Sequence, residues 1–175
     1  WIEKLFSLGI NKILINTHYL KKIVEDHIFE LSEFKEGKIL LSYEKKLLGT
    51  AGTLINNINF FEGQDGFLLH ADNFTNDNLK NFIKFHKNSS QSSQITMMAF
   101  RTEYPEKSGI IEIDKNKMIK NFYEKKKGIN GNLANCAIYI ISKNTLKSIG
   151  CLKARDFSTE IIPRFLNKIK VYETD

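Results

Sequence analysis

The strongest constraint on the fold is an alternation. Short apolar runs recur along the chain, each separated from the next by a segment of helical period. Residues 12–16, 38–43, 67–69 and 94–101 read as strands. Between them, 20–31 sets Leu20, Ile23, Val24, His27, Ile28 and Leu31 on one helical face. Residues 1–8, closed by Gly9, and 52–58 and 77–88 read as helices. Strands apolar throughout, with helices between them, predict a mostly parallel sheet covered on both faces. In such sheets ligands sit beyond the carboxyl ends of the strands.

The second half changes character. Residues 109–113 alternate, 114–117 form a turn and 118–124 return, which is a β-hairpin. Another strand spans 137–141, and Ser142 or Lys143 opens a helix that runs through Leu146. Asp156 or Ser158 caps a further helix, which Pro163 either interrupts or joins in its first turn. Residues 89–93 are a polar loop rather than a linker, and 170–173 read as a last strand. The chain opens inside a helical pattern at Trp1 rather than on a signal peptide, and stops just after a strand. It therefore reads as one domain, 1–175, truncated at both ends.

With 175 residues, one sizeable core is expected. No apolar run approaches the roughly 20 residues of a membrane span. Cys136 and Cys151 have neither metal spacing nor a disulfide framework, which suggests a reducing cytoplasm. The net charge of +6 permits an anionic ligand, and equally describes a lysine-rich surface.

Four places carry chemistry. Gly49-Thr50-Ala51-Gly52 joins a strand to a helix, where bare backbone can offer N–H groups to a phosphate or a flat surface to a base. Asp72, after a strand end, reads as a ligand for a hard divalent cation, helped by Asn73, or as a turn aspartate. His70 reads as a packed strand residue. Glu124-Lys125 ends the hairpin: glutamate accepts from sugar hydroxyls and lysine is a point charge for phosphate. With Lys126 and Lys127 it also reads as a solvated charge run. Asn135 is a hydroxyl-binding amide or a turn residue.

The order of these segments narrows the reading. Asn16-Thr17-His18-Tyr19-Leu20, Leu47-Leu48-Gly49-Thr50-Ala51-Gly52, His70-Ala71-Asp72-Asn73, Ser108-Gly109-Ile110-Ile111-Glu112, Phe122-Tyr123-Glu124-Lys125, Asn132-Leu133-Ala134-Asn135-Cys136-Ala137-Ile138-Tyr139 and Asp156-Phe157-Ser158-Thr159-Glu160 follow one another. The set resembles the sugar-phosphate nucleotidyltransferases over nearly the whole chain, closest to the mannose-1-phosphate guanylyltransferase-like branch. That resemblance implies a Rossmann-like three-layer sandwich with a mixed, mostly parallel central sheet. It implies transfer from a nucleoside triphosphate, GTP being favoured, to a sugar 1-phosphate of mannose or heptose type, with release of pyrophosphate. Gly49, Thr50, Ala51 and Gly52 would sit against base and ribose. Asp72 would bind Mg²⁺. Gly109 would admit the sugar, Glu124 would hold its hydroxyls, Lys125 its phosphate and Asn135 its ring.

The family's glycine-rich phosphate loop and a second metal-binding aspartate are not in this sequence, so little or no turnover is expected of these 175 residues alone. Ala71 stands for a common glycine, Lys126 for a proline and Ala137 for a glycine. Readings from other classes are a metal-dependent glycosyltransferase, against which Asp72-Asn73-Phe74 lacks the Asp-x-Asp pattern, and a non-catalytic nucleotide-sugar-binding regulatory domain. The partners expected are the two substrates, with no nucleic acid and no membrane; an exposed sheet edge would also allow self-association.

Overall fold

The apolar runs pair as strands because their branched side chains pack on a pleated surface while the backbone satisfies its own polar groups. The computed structural model describes residues 1–89 and 92–174. The expected polar loop thus lies partly outside the described residues, at Ser90 and Gln91. The elements are α1 (Ile2–Ser7), β1 (Ile13–Thr17), α2 (Lys21–Glu30), α3 (Ser32–Lys35), β2 (Ile39–Tyr43), α4 (Thr50–Asn56), β3 (Gly66–Leu69), α5 (Leu79–Ser89), β4 (Ile95–Arg101), β5 (Gly109–Ile113), β6 (Ile119–Glu124), β7 (Leu133–Ile141), α6 (Lys143–Gly150) and β8 (Ile169–Glu173). Between α6 and β8, Phe157–Ile161 forms a π-helical turn, followed by a 3₁₀ turn over Ile162–Phe165 with Pro163 in its first turn.

β7 organises the main sheet. One edge pairs antiparallel with β4 from Leu133 to Ile141. The other edge forks: Ala134 meets Ile110 of β5, whereas Ile138 to Ile141 meet β3. Ala137, at φ +53, marks the fork. β8 lies parallel to β4 outside it, and β6 closes the hairpin on β5.

Period-2 alternation builds three layers. Met97, Ala99, Tyr139 and Ile141 face Ala51, Leu54, Leu146, Ile149, Phe157 and Ile161 on one side. Met98, Ile138 and Ile140 face Leu79 and Phe82 of α5 on the other. The expected sandwich with a mixed sheet is present, but the sheet has less parallel pairing than expected. Only β4 and β8 pair parallel in it, because β7 runs against all three of its neighbours and the hairpin adds another antiparallel pair.

β1 and β2 form a separate parallel pair, in register from Ile13↔Ile39 to Thr17↔Tyr43. The second edge of β1 and the second edge of β3 have no strand partner among the described residues. Both line a groove of about 1410 Å³ with Ile13, Ile15, Phe67 and Leu69 on its walls. This opening leaves Phe67, Leu68 and Leu69 half-buried, where the sequence predicts a buried strand. No described helix is long and apolar enough to cross a membrane.

Candidate functional site

The turn into α4 is built around glycine. Gly49 has φ +82, and a Cβ there would stand 2.4 Å from the Arg155 carbonyl oxygen. That carbonyl accepts from Ala51 N–H at 3.0 Å and Gly52 N–H at 3.3 Å. Two of the first-turn N–H groups that the sequence reading offers to a phosphate, those of Ala51 and Gly52, are therefore engaged within the chain, while its alternative of a flat surface for a base makes no demand on them. The helix also begins at Thr50, two residues earlier than expected, because Gly49 already turns the chain. Ala51 is fully buried and anchors the turn to the core. The Thr50 hydroxyl accepts from Phe157 N–H at 2.7 Å and lies 3.5 Å from Asp156 Oδ2.

A residue the sequence reading missed braces this turn. Glu44, just past β2, is 3% exposed. Its carboxylate accepts from Leu48 N–H at 3.1 Å and from the Thr53 hydroxyl at 2.5 Å. It thus ties both ends of the glycine loop to the end of β2. In the sequence, Glu44-Lys45-Lys46 looks like one more solvated charge run, and only its place at a strand end distinguishes it.

The opposite wall comes from the hairpin. Gly109 and Glu124 are cross-strand partners, and a Cβ on Gly109 would stand 2.8 Å from a Glu124 carboxylate oxygen. Glycine here makes room for the carboxylate. Lys125 leaves the strand at φ +47, its N–H bonded to Ser108 O at 3.2 Å and its Nζ 4.0 Å from Glu124 Oε1. Burial pushes the Glu124 carboxyl above its ordinary range; Lys125 opposes this, Asp156 adds to it and Ser158 opposes it.

Asp156 and Ser158 therefore belong to the same wall as Glu124. Burial alone would raise Asp156, but hydrogen bonds from the Thr159 N–H and hydroxyl, from Thr50 and from Ser158 N–H together hold it below the usual carboxylate range. Asp156 Oδ1 caps the π-helical turn by accepting from Thr159 N–H at 2.7 Å, so of the two expected caps Asp156 is the one used. Glu160 accepts from both Arg155 N–H and Asp156 N–H at 2.9 Å and fixes the approach to that turn.

Asn135 lies inside β7, not before it. Its Nδ2 donates to Tyr139 Oη at 2.7 Å, and its Oδ1 accepts from Ala137 N–H at 2.9 Å, which shapes the bulge. Burial raises the Tyr139 hydroxyl well above its ordinary value, so it stays neutral.

Asp72 stands in the turn after β3, exposed. Its carboxylate makes no hydrogen bond or ion pair among the described residues. Asn73 does not join it as a ligand. Its Nδ2 donates to Cys136 O at 2.9 Å, and its own carbonyl accepts from Trp1 Nε1 at 2.9 Å. His70 is half-buried, with its N–H directed to Ala137 O at 3.3 Å. Among the described residues no group of three or more His, Cys, Asp and Glu could hold a metal ion. The Asp72 carboxylate nonetheless fits Mg²⁺ as one hard ligand, since that ion keeps several waters and takes substrate phosphates as partners.

The fold therefore brings the Gly49–Gly52 turn, Glu124, Lys125 and Asn135 around Asp156 and Tyr139. Asp72 joins them only through Asn73 and the β7 bulge. Oxygen acceptors and one lysine around an open fork suit a polyhydroxylated anion.

The chain matches the nucleotidyl transferase family model over residues 1–174. It is 27% identical over 175 residues to probable mannose-1-phosphate guanylyltransferase 2 of Oryza sativa subsp. japonica, covering 98% of this chain and 48% of that protein. It is 26% identical over 176 residues to the mannose-1-phosphate guanylyltransferase catalytic subunit beta of Drosophila pseudoobscura pseudoobscura, covering 99% and 47%. The chain spans about half the length of these relatives. Among solved structures, HddC from Yersinia pseudotuberculosis complexed with GMP-PN superposes with a TM-score of 0.78 at 22% identity, covering 99% of this chain and 74% of that one. That likeness is one of fold.

Proposed function

This chain belongs to the nucleotidyl transferase family, and from that premise we propose that the full-length protein joins GTP to a sugar 1-phosphate of the mannose or heptose type, forming the nucleotide sugar and pyrophosphate. The observation that carries the reading is the single cluster formed by the glycine turn, the Glu124-Lys125 strand end and Asn135. Its relatives' names supply the guanine and the mannose, and the GMP-PN of HddC agrees with the former.

In this reading the glycine turn flanks the nucleotide, and Glu124 and Asn135 face the sugar. Lys125, exposed and on a fixed backbone, meets the sugar phosphate. The phosphate oxygen attacks the α-phosphorus in line with departing pyrophosphate. No protein nucleophile is required, so the side chains act by holding two anionic substrates in line and offsetting their charge. Asp72 is the residue that would hold Mg²⁺, which when bound reduces repulsion between the phosphates. The free thiols of Cys136 and Cys151 accord with a cytoplasmic protein.

The test is pyrophosphate release by the full-length protein with Mg²⁺, five nucleoside triphosphates and a panel of sugar 1-phosphates, with Asp72→Ala as control. Release with GTP and one sugar 1-phosphate, lost in the control, is the expected result. Release of a free nucleoside diphosphate instead would indicate a glycosyltransferase. Tight nucleotide-sugar binding with no turnover would indicate a regulatory domain.

A further inference from the structure

The two walls of the site are not independent. Four hydrogen-bond contacts join the glycine turn to residues 155–157. The Arg155 carbonyl takes Ala51 N–H and Gly52 N–H, and the Thr50 hydroxyl takes Phe157 N–H while its own proton points to Asp156 Oδ2. The approach is close enough that position 49 tolerates no Cβ. From 155–157 the connection continues. Glu160 clamps the Arg155 and Asp156 N–H groups, and Asp156 and Ser158 stand beside Glu124 on the wall opposite the glycine turn. Of these contacts, the ones made by Thr50 are the only ones that depend on a side chain of the glycine turn.

We propose that Thr50 is a positioning residue for the opposite wall. Its hydroxyl sets the place of Asp156 and Ser158 against Glu124, and so governs use of the sugar 1-phosphate, a substrate it does not touch. Its methyl and hydroxyl sit at the start of α4 with the hydroxyl turned toward Phe157, so the side chain is spent on this link. Removing the hydroxyl leaves the Phe157 N–H without its acceptor and takes one donor from Asp156. The segment 155–158 then loses its tie on the side that faces the nucleotide, while the Arg155 carbonyl bonds keep the turn itself in place.

This rests on the nucleotidyl-transfer reading, and the test separates the two. Steady-state kinetics of the full-length protein with GTP and mannose 1-phosphate are compared for wild type, Thr50→Val, Thr50→Ser and Asp156→Asn. Thr50→Val is expected to raise the KM for mannose 1-phosphate at least tenfold, and by a larger factor than the KM for GTP. Thr50→Ser, which keeps the hydroxyl, recovers most of that loss. Thr50→Val combined with Asp156→Asn is less than multiplicative, as expected for two groups acting through one contact. A GTP KM that rises as much as the sugar KM, an unchanged sugar KM, or multiplicative losses would overturn the proposal while leaving the nucleotidyl-transfer reading intact. Absence of turnover in the wild type with every substrate pair would overturn both. If Thr50→Val fails to fold by circular dichroism, Thr50→Ala, which removes the hydroxyl without placing a second methyl in its position, decides in the same assay.

Discussion

A methyl group at position 109 would stand 2.7 Å from the Phe122 ring and 2.8 Å from the Glu124 carboxylate. The ring cannot yield as a flexible chain end can, so Gly109→Ala should displace Glu124. The expected result is a sugar 1-phosphate KM raised about tenfold, with a stability loss of about 1–3 kcal/mol typical of overpacking. Kinetics and urea unfolding of the same variant check both. Glu124 itself gives a pH signature. Its folded carboxyl titrates above the ordinary 4.5, chiefly through burial. The native state thus holds its proton to higher pH than the unfolded chain does, and stability falls as pH rises from that ordinary value through the folded one. Glu124→Gln should therefore remove this loss and be more stable than wild type at pH 7, although under the proposed function it should weaken sugar binding. A melting-temperature series across acid to neutral pH tests this, and parallel curves for the two proteins would refute it.

At the scale of elements, β7 shows what a sequence conveys and what it withholds. Its apolar half, 137–141, is legible because an unbroken apolar run fits a strand buried on both faces. Its first half is not, because Asn135 reads equally as a turn residue, and only the structure reveals that its amide builds a bulge inside the strand. Strand direction is hidden for a similar reason: apolar runs look alike whichever way they point, so the antiparallel course of β7 between β3 and β4 left no local mark. The segment 157–165 reads in the sequence as a helix capped by Asp156 or Ser158, not as the π- then 3₁₀-helical turns it forms, since Pro163 stops α-helical hydrogen bonding without saying what replaces it. Ala137 carries the clearest consequence. It sits at φ +53, where an L-residue with a Cβ pays about 1–2 kcal/mol and glycine does not. Glycine loses more backbone entropy, so Ala137→Gly should stabilise by a smaller amount, up to about 1 kcal/mol. The urea midpoint should rise with an unchanged slope.

Over the whole molecule, the six-stranded sheet and the β1–β2 pair differ in how they are held. β4 and β7 run through the core with Ile95, Met97, Met98, Ala99, Ile138 and Ile141 fully buried. By contrast Leu40, Tyr43 and Ile23 around the β1–β2 pair stay exposed. The side-chain ties of this part to the body include, through α1, Trp1 Nε1 to Asn73 O and Lys4 Nζ to Thr75 O, and beside the pair itself the exposed Lys12–Glu62 pair at 3.0 Å and the Glu44 bonds to Leu48 and Thr53. An exposed ion pair contributes little, and a two-stranded sheet is marginal by itself. Among the described residues no strand bridges the groove between β1 and β3, so the pair shares no sheet hydrogen bonds with the main sheet. The 175-residue chain should therefore open in two steps. In hydrogen exchange followed by mass spectrometry, amides of β1 and β2 are expected to exchange at least tenfold faster than those of β4 and β7, through a sub-global opening that leaves the main sheet folded. Glu44→Gln, which replaces the charged acceptor of Leu48 N–H and Thr53, should widen that difference and speed exchange in the glycine turn, because the same carboxylate ties both to the body. Equal protection in the two regions would mean that the pair and the six-stranded sheet unfold as one unit, with the groove walls contributing more to cohesion than their unpaired edges suggest.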